Sequence, residues 1–216
     1  MSHANKTFIN LSKDKRGAIL HSAVTEFARF GYQKASINNI VKDASIAKGS
    51  LYQYFQNKEA LFHYIFAQFT HLVKRTVQDS RKHTSTDFFS KVREVLWAGI
   101  HFVDQFPDYF HIYLKVLFEE DVPGREKLLA QVHLFSSEYF GPLCQEAQKR
   151  GEIRKDIPSK TVVFMLDSLI SRLLQGYALE YLDSGLNLSR KKKDDISHEI
   201  ELVLKILQSG LRAGDS

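Results

Sequence analysis

The hydrophobic positions of this chain recur at the spacing of an α-helix from one end to the other. The first clear stripe, in residues 13–30, consists of Ile19, Leu20, Ala23, Phe27 and Phe30. Gly31 follows it, and glycine is a common residue just past the end of a helix. The strict alternation of apolar and polar residues that marks a β-strand is almost absent. The pattern therefore predicts an all-α protein.

Breaks in the pattern divide the chain into about nine helices. Ser36 is a favourable N-cap for a short second helix, and Asn57 for a long fourth one. Proline and glycine mark several later joints, and 81–86 is a polar break. The predicted helices cover 13–30, 37–44, 48–55, 58–79, 86–105, 108–119, 123–150, 159–182 and 189–212. The first three form a small N-terminal group, and the others form a larger bundle.

The composition is that of an ordinary globular protein, with 44% hydrophobic and 25% charged residues among 216. No apolar run approaches the roughly 18–20 residues that a membrane span requires, which excludes an integral membrane protein. The first residues lack the apolar core of a signal peptide, so we expect a cytoplasmic protein. Cys144 is the only cysteine, which excludes an internal disulfide and a thiolate zinc cluster.

The net charge of +5 is concentrated in the first quarter of the chain. Residues 1–58 contain nine Lys and Arg against three Asp and Glu, a net charge of +6, whereas 59–216 carry −1. Such asymmetry indicates a basic region that binds a polyanion, joined to a nearly neutral body. On charge alone, a surface that is basic by chance is an equal alternative.

Two short helices joined by about three residues describe a helix-turn-helix over about 36–56. Ile37, Ile40 and Val41 would pack the first helix, and 48–55 would form the second. In this unit the second helix enters the major groove of DNA and presents its first residues to base edges. The spacing alone is a weak signal, because any three-helix bundle can imitate it.

A longer series of residue types makes the pattern specific. The series consists of Ala23, Phe27, Gly31, Tyr32, SINNIV at 36–41, KGSLYQYF at 48–55 and KEAL at 58–61. In order and spacing it resembles the tetracycline-repressor (TetR) family of transcriptional regulators over about 50 residues. The resemblance implies a DNA-binding domain at 13–73 and a ligand-binding and dimerisation domain at 74–216. The later helices match that family only in number, length and order.

The resemblance implies that four residues anchor the phosphate backbone of DNA: Ser36, Lys48, Tyr52 and Lys58. Tyr52 would use its hydroxyl, and Lys58 lies at the start of the fourth helix. Gly49 would let the recognition helix lie close to the groove, because it has no side chain. Phosphate contacts of this kind fix the position of a protein on DNA and carry no sequence information.

Three further residues, Ser50, Gln53 and Tyr54, are expected to project from the exposed side of the recognition helix. Gln53 is the best candidate for reading a base, since glutamine bonds adenine bidentately, with about 1–3 kcal/mol of discrimination. Tyr52 and Tyr54 flank Leu51 and Phe55, so a place in the core for one of the two tyrosines remains an alternative.

Two positions depart from the usual family pattern. The turn commonly has a glycine where this chain has Ser45, so a positive φ there would need another explanation. The recognition helix is usually capped by Ser or Thr, but Ala47 occupies that place and has no side-chain acceptor. The amides at its start would then be left for water or for a DNA phosphate.

The last two helices predict a homodimer. Helix 159–182 carries two apolar stripes, one from Val162 to Tyr177 and the other from Val163 to Tyr181, and the final helix is also apolar on one side. A helix that is apolar on two sides is buried on two sides. One side would cover its own subunit and the other a partner in a four-helix contact, which the resemblance also implies. The alternative is a thick monomeric core.

Aromatic residues interrupted by polar ones predict a small-molecule site in the later helices. The candidate ligand-binding residues are Trp97, His101, Tyr109, Tyr113, His133, Tyr139, Met165 and Arg172. Most of the aromatic ones would serve equally well as plain core. Asp167 and Arg172 lie in an apolar setting and would pair with each other, across a dimer or with a ligand.

The sequence carries no motif of an enzyme, a metal site or a cofactor site. The nine histidines show no ligand spacing, and no phosphate-binding loop or nucleophile elbow occurs. We therefore expect a transcriptional regulator that binds double-stranded DNA as a homodimer and is released by a lipophilic or aromatic effector. The alternatives are an activator or dual regulator of the same fold, and a helical small-molecule-binding protein or small enzyme with an incidental helix-turn-helix.

Overall fold

The computed structural model of the protein describes residues 4–80 and 87–212. Within them the chain forms ten α-helices and no β-strand, which confirms the predicted all-α fold with an N-terminal helix-turn-helix and a larger helical remainder. The helices are α1 (Lys6–Ile9), α2 (Lys13–Lys34), α3 (Ile37–Asp43), α4 (Lys48–Tyr54), α5 (Lys58–Ser80), α6 (Phe88–Gln105), α7 (Pro107–Phe118), α8 (Arg125–Arg150), α9 (Ser159–Ala178) and α10 (Lys193–Leu211). The predicted polar break at 81–86 lies outside the described residues.

Several helix limits follow from local chemistry that the sequence shows. The side chain of Ser36 caps α3 by accepting from Asn39 N–H at 3.4 Å, and Asn57 Oδ1 caps α5 by accepting from Ala60 N–H at 2.8 Å. Gly31 has φ 70 and ψ 178, which interrupts the regular helix near the end of α2. A residue with a side chain adopts this conformation only with strain, so the predicted stop at Gly31 has a physical basis.

One helix was not predicted, and two others, α9 and α10, have limits that differ from the prediction. The short helix α1 was not predicted, because four residues with one apolar position that becomes buried, Phe8, show no periodicity. Helix α9 ends at Ala178, where Leu179 turns extended, and a separate turn of 3-10 helix follows at Glu180–Leu182. A second 3-10 turn, Leu188–Arg190, precedes α10, which therefore begins at Lys193 rather than near 189.

Packing divides the chain into two compact units. Unit 1 comprises Met1–Leu72 and Phe106–Gln131, and unit 2 comprises Val73–Gln105 and Val132–Ser216. Unit 1 therefore includes α7, which lay beyond the predicted domain limit at residue 73. Two hydrogen bonds join α2 to this later segment, from Thr25 Oγ1 to Asp108 at 3.2 Å and from Gln33 Nε2 to the Asp121 carbonyl at 2.7 Å.

Each unit has its own apolar core. In unit 1 the ring of Phe27 lies edge-on to Phe62, with centroids 5.0 Å apart, and Phe69 stacks on Tyr113 at 5.4 Å. The core of unit 2 is built from α6, α8, α9 and α10, and it buries the free Cys144. Burial raises the pKa of the Cys144 thiol to about 12, so the thiol stays protonated at neutral pH and is a poor nucleophile.

None of the helices in 4–80 and 87–212 combines the length and the apolar character that crossing a bilayer requires.

Candidate nucleic-acid interface

The helix-turn-helix is fixed to α2 through a buried carboxylate and a buried hydroxyl. Glu26 Oε1 accepts from the backbone N–H of Ser36 at 2.7 Å and from Asn39 Nδ2 at 3.2 Å. Ser22 Oγ donates to the carbonyl of Ile40 at 2.9 Å. Both α2 residues are more than nine-tenths buried. The start and the middle of α3 are therefore held by charge-assisted and neutral hydrogen bonds from the same helix.

The turn between α3 and α4 shows how a serine replaces the usual glycine. Ser45 has φ 53, in the left-handed region. Its N–H donates to the Lys42 carbonyl at 3.1 Å, and the next N–H, of Ile46, donates to Val41 at 3.0 Å. These two bonds form a Schellman ending for α3, which satisfies carbonyls that the helix leaves without partners. They supply the explanation for the positive φ at Ser45.

The recognition helix α4 has an inner face that is buried and an outer face that is exposed. Leu51 and Phe55 are buried, whereas Lys48 and Gln53 are exposed and Tyr52 is 44% exposed. Ser50 is half-buried and stands between the two faces. The outer face thus presents a cation, a phenolic hydroxyl and an amide, which are the groups that contact phosphates and base edges.

Tyr54 lies on the inner, buried face of α4. It was expected to project from the exposed side of α4, and that expectation was wrong, because the residue is only 5% exposed. Tyr54 lies three residues after Leu51 and therefore on the same inner face of the helix. Its ring packs against Phe8 of the unpredicted helix α1, with centroids 5.8 Å apart.

The start of α4 is open. Ala47 has the extended backbone of an N-cap residue and gives no side-chain hydrogen bond, as the sequence predicted. A Cβ added at Gly49 would meet nothing within 4 Å. The uncapped amides of a helix N-terminus favour an anion, and Gly49 keeps their surroundings clear.

Lys58 is more constrained than an ordinary surface lysine. Its Nζ donates to the Gln33 carbonyl at 3.1 Å and lies 4.8 Å from the centre of the Tyr32 ring. Burial lowers the pKa of Lys58, and the Glu26 carboxylate raises it by a smaller amount. The ammonium has three donor hydrogens, so one bond to a carbonyl leaves donors for a phosphate.

Residues at the N-terminus make contacts with α4 that the sequence did not predict. Asn5 N–H donates to the Tyr54 carbonyl at 2.9 Å, and Asn5 Nδ2 donates to the Gln53 carbonyl at 2.8 Å. Phe8 is fully buried, with ring centroids 4.7 Å from Phe55. The signal in the sequence is one phenylalanine in a polar stretch, which is too little to predict an element.

The predicted ligand-binding residues fall in both units. Tyr109 and Tyr113 belong to unit 1, where Tyr113 is buried against Phe69 and Tyr109 is half-buried. The other six belong to unit 2: Trp97, His101, His133, Tyr139, Met165 and Arg172. Of the eight, Tyr113 and Tyr139 are buried in aromatic cores, which is the alternative to ligand contact that the sequence left open.

Within unit 2 the remaining candidates have defined neighbours. Trp97 and His101 lie together on α6, with ring centroids 5.8 Å apart. His133 Nδ1 lies 3.1 Å from Asp167, so Asp167 pairs with His133 rather than with Arg172. Met165 and Arg172 are exposed on α9.

Two further features of unit 2, a polar contact and a surface depression, involve residues that are not among the predicted ligand-binding ones. Tyr177 donates to Asp104 at 2.6 Å, and burial together with this carboxylate raises the pKa of Tyr177 to about 12. A depression on this unit is lined by other residues, Gln145, Gln148, Lys149 and Lys155. No group of three or more potential metal ligands occurs in the described part of the chain.

Unit 2 also exposes large apolar side chains on its last two helices. Phe164 is 71% exposed on α9 and Ile206 is 73% exposed on α10, accompanied by Met165 and Leu202. Most residues of the two predicted stripes instead contact the unit's own core, as Leu169, Leu173 and Leu174 do, whereas Tyr181 at the end of the second stripe is 79% exposed. Apart from Tyr181, the outward apolar positions therefore differ from those that the periodicity suggested.

Comparisons with known proteins agree with this geometry. The family model of bacterial regulatory proteins of the tetR family matches residues 19–65. A probable acrEF/envCD operon repressor of Escherichia coli K12 is 23% identical over 168 residues, which is 76% of each chain. The crystal structure of a TetR family transcriptional regulator from Chloroflexus aurantiacus superposes with a TM-score of 0.77 at 29% identity, over 98% of this chain and 99% of that one.

A second solved structure shows the same fold with a ligand. The transcriptional regulator FadR from Bacillus subtilis, in complex with stearoyl-CoA, has a TM-score of 0.71 at 19% identity. The superposition covers 90% of this chain and 98% of that one.

Proposed function

We propose that this chain, a transcriptional regulator of the tetR family, represses its target genes by binding an operator as a homodimer and releases the operator when a small effector binds. The observation that carries the proposal is the outer face of α4. Lys48, Tyr52 and Gln53 are exposed there, on a helix whose start is uncapped and unobstructed at Gly49. The site of action would be the cytoplasm, where the DNA lies.

The proposed DNA contacts divide into positioning and reading groups. Lys48, the hydroxyl of Tyr52 and the first amides of α4 would bind phosphates, with Ser36 and Lys58 at the adjoining helix starts. Gln53 would read a base edge in the major groove. Ser50, which is half-buried, would contribute less contact area than Gln53.

The homodimer would form through α9 and α10. Exposed Phe164 and Ile206 are large apolar side chains that water solvates poorly, and covering them would favour association. Two recognition helices separated by about 34–36 Å would then enter successive major grooves. A dimer would read twice as many base pairs as one subunit, which gives an operator useful specificity.

The effector would act by a shift between two populations. A ligand that binds better to subunits whose recognition helices have another spacing lowers the affinity for DNA by its differential affinity alone. We propose a lipophilic or aromatic effector that contacts Trp97 and His101. The stearoyl-CoA bound to the similar regulator of Bacillus subtilis supports an acyl-CoA as the first compound to test.

Selection of DNA from a random pool tests the regulatory function directly. The protein should enrich an inverted repeat, and Lys48→Ala should weaken binding to every sequence and flatten the salt dependence of affinity by about one phosphate contact. Lys149→Ala, which removes an exposed lysine of unit 2, is the matched control and should change neither quantity. Failure to enrich any sequence at low salt would refute the proposal.

The effector is tested on the same protein–DNA complex. Trp97 is the only tryptophan, so its fluorescence reports on its surroundings without a label. A long-chain acyl-CoA should change this fluorescence and release the selected operator over the same concentration range, whereas coenzyme A alone should do neither. A reporter gene under the operator then distinguishes repression from activation.

A further inference from the structure

The end of the recognition helix is capped by a residue from another part of the chain. The last carbonyls of a helix have no partner within it, and two of these in α4 belong to Gln53 and Tyr54. Asn5 satisfies both, with its side-chain Nδ2 on the Gln53 carbonyl at 2.8 Å and its backbone N–H on the Tyr54 carbonyl at 2.9 Å.

Asn5 is itself held firmly in place. Phe8, three residues later, is fully buried among aromatic rings, with centroids 4.7 Å from Phe55 and 5.5 Å from Tyr64. At the other end of α1, Arg16 Nη1 donates to the carbonyl of Ile9 at 3.0 Å. Both anchors, Phe8 and Ile9, lie within α1, and Asn5 directly precedes this helix, so Asn5 is presented to α4 by a packed element.

Helix α4 needs external support because it is short. It has seven residues, or about two turns, and helices of this length are not stable on their own. Its start lacks a side-chain cap at Ala47, so hydrogen bonds to its backbone from outside are concentrated at its other end. Base reading depends on hydrogen-bond geometry, which weakens steeply when the donor and acceptor are misaligned.

We propose that Asn5 is a positioning residue for sequence discrimination, which acts by fixing the backbone of Gln53 and does not itself contact a base. This inference rests on the proposed operator-binding function. The side chain of Gln53 is exposed on the outer face of α4, while its carbonyl is bound by Asn5. Loss of the Asn5 amide would make the last turn of α4 more mobile, so the side chain of Gln53 would be less precisely aligned with the base it contacts.

The test uses the operator that the wild-type protein selects and a set of its single-base-pair variants. Binding is measured by fluorescence anisotropy for the wild type, Asn5→Ala, Gln53→Ala and the double variant. Asn5→Ala should lower discrimination at the base pair read by Gln53 about fivefold, the typical effect of one neutral hydrogen bond. The salt dependence of affinity should stay at the wild-type value, since no phosphate contact is lost.

Two comparisons separate positioning from other roles. Asn10→Ala changes an exposed asparagine of the same segment, one whose backbone N–H caps α1, and should leave discrimination unchanged. In the Gln53→Ala background, Asn5→Ala should have no further effect at that base pair, because residues acting through one contact are not additive. Thermal unfolding checks that each variant is folded.

Three results would overturn the inference. Unchanged discrimination in Asn5→Ala, with or without a lower melting temperature, would leave Asn5 a purely structural role. An additive effect with Gln53→Ala, or discrimination that survives Gln53→Ala, would show that Asn5 does not act through Gln53. A weaker affinity for all sequences with a flatter salt dependence would make Asn5 a phosphate contact. If the wild type selects no DNA, the proposed function itself fails, and the inference fails with it.

Discussion

Replacing Gly49 by alanine is expected to increase stability and to weaken DNA binding. It lies inside α4, and a Cβ there would meet nothing within 4 Å. Replacing a helical glycine by alanine stabilises a protein by about 0.5–1 kcal/mol, so Gly49→Ala should raise the free energy of unfolding. The added methyl group would stand where a phosphate is expected to approach the start of α4, so affinity for the operator should fall.

The control for this prediction is Gly210→Ala. Gly210 is also helical and also open, but it lies in α10 of unit 2. It should give the same gain in stability and no change in DNA affinity. Urea unfolding and anisotropy titrations measure the two quantities, and a Gly49→Ala variant that binds the operator as tightly as the wild type would contradict a close approach of DNA.

Ser45 is the residue at which the turn of the helix-turn-helix is strained. A non-glycine residue in the left-handed region destabilises the folded state by about 1–2 kcal/mol. Glycine avoids this strain, but its greater backbone freedom stabilises the unfolded chain by about 0.5–1 kcal/mol. Ser45→Gly should therefore raise the free energy of unfolding by a few tenths to about 1 kcal/mol. Ser45→Val should lower it, since a β-branched residue tolerates φ 53 poorly. Equal stability of the two variants would contradict the left-handed conformation.

Among the elements, the junction of α2 with α3 is held by the buried carboxylate of Glu26 together with the hydroxyl of Ser22. Glu26 accepts two hydrogen bonds from the start of α3, and removing it leaves the Ser36 N–H without its partner. Glu26→Ala should lower the free energy of unfolding by about 1.5–3 kcal/mol, the range for a lost charge-assisted bond. Glu26→Gln retains an acceptor oxygen and should cost less. Chemical unfolding measures both, and an unchanged free energy of unfolding in Glu26→Ala would show that the contact with Ser36 is unimportant.

The elements that local patterns specify were predictable, and those that depend on distant packing were not. The caps at Ser36 and Asn57 and the break at Gly31 involve neighbouring residues, so the sequence predicts them. The inner position of Tyr54 and the role of Asn5 depend on α1, which lies more than 40 residues away in the chain. Local periodicity carries no information about such a contact.

The division into units is a property of the whole molecule that the sequence does not reveal. Unit 1 combines Met1–Leu72 with Phe106–Gln131, so it is not one continuous stretch of chain, and the domain limit at residue 73 stays a prediction. The hydrogen bond from Gln33 to Asp121 joins residues that are 88 positions apart in the chain, and no local pattern in the sequence predicts such a contact. The basic excess of 1–58 is accordingly a property of the helix-turn-helix segment, since 106–131 contain five acidic residues against three basic ones.

The proposed dimer gives a prediction for the whole molecule. Phe164 on α9 and Phe118 in unit 1 are both exposed phenylalanines, 71% and 55% respectively, which makes them a matched pair. If α9 forms the subunit contact, Phe164→Asp buries a carboxylate against apolar side chains, which costs several kcal/mol unless the contact opens. Phe118→Asp introduces the same charge into the other unit and should leave the contact intact.

Sedimentation at micromolar concentration should therefore show a dimer for the wild type and for Phe118→Asp, and a monomer for Phe164→Asp. The monomer should bind one half of the selected operator about as well as a wild-type subunit does, but lose the additional affinity that linking two half-sites provides, of order 10²-fold or more. A Phe164→Asp protein that remains dimeric would place the contact elsewhere. A monomeric wild type that still selects an inverted repeat would require the DNA itself to bring two subunits together.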